Sequence, residues 1–221
     1  MYDIKALKSE LANLPESGMG YQIVDATMQD NRVERGIAYN GELLVLAEEA
    51  PVAITKSNFR ALVLSAPLAS GRVKFVTVLT HHRGLRLLKA KAMTSLGTYA
   101  ASGPADQAPV GETKSGEVFK RFSAFEDDIR VRPDKSFTPG TYATTEEDAK
   151  NVKTGREAVK RYALANSDPA SNVFTAKPNQ KTKIQRGVVE PANGQPGEGV
   201  EVIFPEGTQV YTVTGPEKIP D

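Results

Sequence analysis

The sequence predicts an α+β protein of two parts: a β-rich N-terminal module at 1–100 and an α+β module at 117–221, joined by a linker at 101–116. Three observations lead there. Short β-favouring runs punctuated by turn residues follow one another from Tyr21 to Leu79. The stretch 101–116 is rich in Pro and Gly and carries one large aliphatic residue, Val110. A threonine-rich run from Thr141 then feeds a segment of helix formers ending near Leu164.

Taken in order, Tyr2, Ile4, Leu7, Leu11 and Leu14 recur among polar residues at spacings of two to four, which predicts a short amphipathic helix stopped by Pro15. Its apolar face suits either packing on its own module or docking in a partner's groove. Tyr21 to Met28, Arg32 to Tyr39 and Glu42 to Ala47 follow as an antiparallel meander. Asn40-Gly41 is the turn between the second and third strands, because both residues tolerate the positive φ of a type I′ turn. Val52 to Ile54, Ala61 to Leu64 and Val73 to Leu79 add further strands, and Leu85 to Leu96 reads as a helix closing the sheet before Gly97.

In the second module, Gly116 to Phe122 is a strand, Pro139-Gly140 a turn and Thr141 to Thr145 extended. Thr145 stands three positions before Asp148, the spacing of an N-cap, so a helix is expected over roughly 146–164. Val173 to Ala176 and Lys183 to Val189 are strands. Val200 to Phe204, the turn Pro205-Glu206-Gly207 and Gln209 to Val213 read as a hairpin.

Lys and Arg number 28 against 27 Asp and Glu, a formal charge of +1, so no overall field draws the chain to nucleic acid or anionic lipid. No apolar run approaches the roughly 18 residues of a membrane helix, and a protein made in the cytoplasm, with no membrane partner, is expected. The chain has no cysteine, which removes thiolate zinc sites and cysteine nucleophiles and suits equally a protein later delivered elsewhere or assembled into a larger particle.

His81 and His82 are the only histidines, so a Ser-His-Asp arrangement in the second module is excluded. No phosphate loop of the Walker type occurs. Glu126, Asp127 and Asp128 lack the fuller ligand spacing of a cation site and read as a solvated turn. Lys177, Lys181, Lys183 and Arg186 beside Phe174 could follow a nucleic-acid backbone, but a charged edge strand accounts for them better.

Three pieces carry a resemblance: Phe119-Lys120-Arg121, Thr141-Tyr142-Ala143-Thr144-Thr145, and Val200-Glu201-Val202-Ile203-Phe204-Pro205-Glu206-Gly207-Thr208. In this order they resemble the ADP-ribosyltransferase toxin fold. Tyr162-Ala163-Leu164, Gly187-Val188 and Gly194-Gln195-Pro196-Gly197 are in turn similar to effector domains of bacterial polymorphic toxins. Both resemblances cover about the last hundred residues.

The resemblance implies NAD as the substrate, Glu201 as the catalytic carboxylate, Arg121 on the pyrophosphate, and Thr144 and Thr145 supporting the ribose or the glutamate. Its chemistry is that a carboxylate stabilises the cation that develops on the ribose as nicotinamide leaves, and a planar guanidinium grips phosphate bidentately. Gly199 occupies the place two before Glu201 where arginine-modifying members carry Glu or Gln, with Glu198 one residue further back, so transfer to arginine is not implied.

The expected function is an NAD-consuming ADP-ribosyltransferase or NAD glycohydrolase effector whose N-terminal module docks on a protein partner. The alternatives are a non-enzymatic structural or adaptor protein of a phage or secretion assembly, and a metal-independent RNase toxin. Convergence of Arg121, Thr144 and Glu201 on one cleft would favour NAD chemistry; separate faces would favour the adaptor.

Overall fold

A computed structural model describes residues 2–28, 31–46, 59–63, 73–81, 104–166 and 168–221. Among these the protein is mainly β, with two antiparallel sheets and short helices, rather than evenly α+β. The first sheet is built from β1 (Tyr2–Asp3), β2 (Tyr21–Met28), β3 (Val33–Tyr39), β4 (Leu43–Leu46), β5 (Phe59–Val63) and β6 (Val73–His81), in the order β1-β4-β3-β2-β6-β5. The second comprises β7 (Gly111–Glu112), β8 (Phe119–Ser123), β9 (Thr141–Thr145), β10 (Asn172–Ala176), β11 (Lys183–Val188), β12 (Val200–Phe204) and β13 (Val213–Lys218), ordered β13-β10-β8-β9-β12-β11-β7.

The meander forms as its turn chemistry requires. Asn40 (φ 48°) and Gly41 (φ 61°) both adopt the left-handed region, and Tyr39 pairs with Leu43 across them. Asp25 faces Arg35 across β2 and β3, and their side chains hydrogen-bond at 2.9 Å, adding a cross-strand ion pair to the register. The expected strand at 52–54 and helix at 85–96 lie outside the described residues.

A 3-10 turn (Lys5–Leu7) leads into α1 (Lys8–Ala12), and Ile4, Leu7 and Leu11 are buried against Val24, Ala26, Ala38 and Leu44. The apolar face of the N-terminal helix is thus used internally. Ile129, far along the chain, packs on the same cluster.

Further links join the N-terminal residues to the second sheet. Tyr39 Oη donates to Ala165 O at 2.8 Å, and Asn40 both donates to Asp127 O and accepts from Ile129 N. Met19 lies in the core beside Phe122, Tyr142 and Tyr162. Pro15 crosses so close to Gly140 that a Cβ there would stand 2.7 Å from Pro15 Cα.

Residues 104–116, expected as a linker, are docked rather than free. Ala105–Gln107 form a second 3-10 turn with Ala105 fully buried, Gln185 Nε2 donates to Ala108 O at 2.7 Å, and β7 adds an edge strand to β11. Thr113 and Thr182 then exchange hydrogen bonds. Small residues and glycines, which sequence reasoning reads as tether, here permit close approach.

Two expectations in the second half are corrected. The helix over 146–164 is two short ones, α2 (Glu146–Ala149) and α3 (Gly155–Arg161). Thr145 caps the first as expected, but Thr154 caps a new start by accepting from Glu157 N, and β-branched Val152 and Thr154 with Gly155 disfavour a continuous helix. The hairpin after Phe204 does not form, because β12 already has β9 on one side and β11 on the other. The chain instead turns at Gly207 and crosses to pair β13 with β10 at the far edge.

Candidate functional site

Arg121 lies on β8 and is 1% exposed. Its guanidinium makes two charged forks. Nη1 and Nη2 donate to Glu16 at 2.8 and 2.9 Å, while Nε donates to Asp128 Oδ2 at 2.9 Å. Nη1 also donates to Tyr142 O. Glu16 in turn accepts from Gly20 N and Tyr142 N, so this carboxylate is held by backbone as well as charge. Burial would lower the Arg121 guanidinium, but Asp128 and Glu16 outweigh it and raise it above its ordinary value. Burial likewise pushes Asp128 up, and Arg121 more than reverses this.

Arg130 completes the cluster. It too is 1% exposed, donates to Leu14 O at 2.6 Å, and its Nε lies 3.5 Å from Glu16 Oε1 without a hydrogen bond. A small recess lined by Glu16, Tyr21, Arg121, Asp128 and Arg130 opens beside it. Every donor of Arg121 that a phosphate would need is already engaged by carboxylate or carbonyl. In this structure Arg121 fastens the N-terminal segment to the second sheet.

Glu201 sits on β12 and is 9% exposed. Its Oε1 accepts a hydrogen bond from Ala105 N at 2.6 Å. Burial raises its carboxyl from the ordinary 4.5 to about 7; the Ala105 N–H works the other way, and the charges of Asp106 and Glu190 add to the rise. Tyr142 and Tyr21 feel the carboxylate: burial first, and Glu201 with it, push both phenols up, Tyr21 to about 12. The signals for this surround were in the sequence only as scattered aromatics.

The pleat decides which of the expected residues meet. Lys120 pairs with Thr144 and Ala143 with Val202, and neighbours on a strand point to opposite faces. Thr144 and Glu201 therefore share one face, the face of Tyr142, Phe122 and Ala105, whereas Arg121 and Thr145 point to the other. Thr144 is fully buried and reaches Asp148 Oδ2 at 3.4 Å, and Asp148 is also gripped by Arg161. Thr145 is committed as the cap of α2.

Other charged groups singled out in the sequence pair with one another or with neighbours. Asp127 pairs with Lys8 and Glu126 with Lys218, while Asp128 belongs to the Arg121 cluster. Lys181, Lys183 and Arg186 pair with Glu112, Glu206 and Glu117, and Arg186 also lies over the Phe119 ring. Among the described residues no three metal-ligating side chains gather, and no helix is long and apolar enough to cross a membrane.

No protein-family model, curated protein or solved structure matches the chain.

Proposed function

We propose that this protein consumes NAD at the Glu201 face of its second sheet, as a glycohydrolase or ADP-ribosyltransferase, with Arg121 acting as scaffold rather than as a pyrophosphate ligand. The observation that carries the reading is the buried Glu201 carboxyl, poised near neutrality beside Tyr142 and Tyr21 and held by a single backbone donor. A carboxylate kept in such surroundings is costly, and groups of this kind concentrate at sites of chemistry.

In the reaction, the bond between ribose C1′ and the nicotinamide nitrogen breaks and the nitrogen keeps the electron pair. Positive charge builds on the ribose, and ionised Glu201 stabilises it. Water, or an acceptor nucleophile, then bonds to C1′ and releases its proton. Glu201 must be charged to act, so release should increase with pH as the carboxyl, raised by its burial, ionises.

The geometry that separates the two readings favours an adaptor: Arg121 and Glu201 occupy opposite faces and a turn covers Glu201, so the NAD reading rests on the buried Glu201 carboxyl alone. Nicotinamide release separates the two. The purified chain at high concentration should release nicotinamide, and Glu201→Gln should slow release roughly a hundredfold or more while circular dichroism stays unchanged. Release by neither the wild type nor a form with the covering turn dislodged leaves the adaptor reading.

A further inference from the structure

The turn over Glu201 is seated too closely to be a passive connection. Ala105 is fully buried, and its N–H is the donor to Glu201 Oε1 at 2.6 Å. Its seat is Gly187, which lies directly across from Glu201 on β11. A Cβ on Gly187 would stand 2.2 Å from Ala105 N and 2.6 Å from Ala105 Cα, so only a residue without a side chain admits the turn. Gln185, two residues along the same strand, fastens the exit by donating to Ala108 O at 2.7 Å.

We propose that the Pro104–Ala108 segment is an autoinhibitory cap, which occupies the face of Glu201 and must lift before a substrate can reach the carboxylate. This rests on the NAD reading above. The anchoring is made of separate small contacts: a hydrogen bond to Glu201, the Gln185 contacts, the two-residue pairing of Lys183 with Glu112 and Ile184 with Gly111, and beyond it the exchange between Thr113 and Thr182. Short pairings at a sheet edge are the parts of a fold that open first. Ala105 N–H also stands where a ligand donor would meet Oε1, so cap and substrate compete for one acceptor.

Two substitutions lift the cap by different routes. Gly187→Ala places a methyl group where Ala105 now sits, at a strand position any residue can adopt. Ala105→Pro removes the donor and sets a ring against Glu201, yet suits the first position of a helical turn. Two readouts are needed. Carbodiimide labelling of Glu201, located by mass spectrometry, reports access to the carboxyl independently of activity; nicotinamide release from NAD reports chemistry.

Both variants should label Glu201 at least tenfold faster than the wild type and release nicotinamide at least tenfold faster, and adding Glu201→Gln should abolish the gain. If Glu201 is labelled as fast in the wild type as in both variants, there is no cap. If labelling accelerates while a measurable wild-type release does not, the segment covers Glu201 without inhibiting it and the cap is again overturned, with the NAD reading intact. Faster labelling with no release from any form sinks the NAD reading itself.

Discussion

A carboxyl held at about 7 inside the protein makes a quantitative demand on stability. The folded chain keeps the Glu201 proton up to about 7, whereas an unfolded chain loses it near 4.5. Between these values the folded state binds the extra proton, so this group's contribution to stability falls as pH rises: no cost below about 4.5, full cost above about 7. At about 1.4 kcal/mol for each pH unit of separation, ionisation costs the fold about 3 kcal/mol. Glutamine carries no charge at any pH and keeps an oxygen for Ala105 N–H. Glu201→Gln should therefore gain about 3 kcal/mol at pH 8 and little at pH 5, measured by urea unfolding of both proteins at both values. Other titrating groups cancel in the difference. An equal effect at the two pH values, or a less stable variant at pH 8, would refute the assignment of a near-neutral buried carboxyl.

Arg121→Met should destabilise by about 3–5 kcal/mol, because it strands two buried carboxylates, Glu16 and Asp128, without their cation; a urea midpoint near that of the wild type would show that the cluster is dispensable. Gly41→Val forces a β-branched residue to φ 61° and against Lys8, so the melting temperature should drop by the equivalent of about 1 kcal/mol or more. An unchanged melting temperature would mean that the turn relaxes at no cost.

The parts of the fold legible in the sequence are those whose signals are local. Asn40-Gly41 names its own turn type, and Thr145 with Asp148 names a cap, because each depends on residues within four positions. The hairpin after Phe204 was legible too, and misled: Pro205-Glu206-Gly207 describes a turn but cannot reveal that β9 and β11 have already taken both edges of β12. Helix formers around Val152 and Thr154 spoke for one helix, while the cap that splits it competes over a single turn.

At the candidate site the division is the same. Glu201 was picked out by the resemblance that its strand carries, but its cover was not, since Ala105 lies 96 residues away in a stretch whose composition suggests a tether. Arg121 was singled out for a planar fork that binds paired oxygens, and in the structure the fork closes on carboxylate oxygens, Asp128 taking one side. Glu16 takes the other, and nothing within its neighbourhood in the chain distinguishes it from a solvated glutamate.

The separation of Glu16 from Arg121 also bears on synthesis. The two are 105 residues apart, which a ribosome adding about 5–20 residues per second crosses in roughly 5–20 s. The hairpin of β2 and β3 closes on a scale of about 1–10 μs, so it is complete long before its neighbour Glu16 has a cation to meet. During that interval Ile4, Leu7 and Leu11 lack Ile129, and Glu16 stays in water. The emerging chain therefore waits with one edge of its N-terminal cluster open and a carboxylate whose hydration discourages premature collapse, and only the arrival of residues 121–130 makes it favourable to close the first and bury the second.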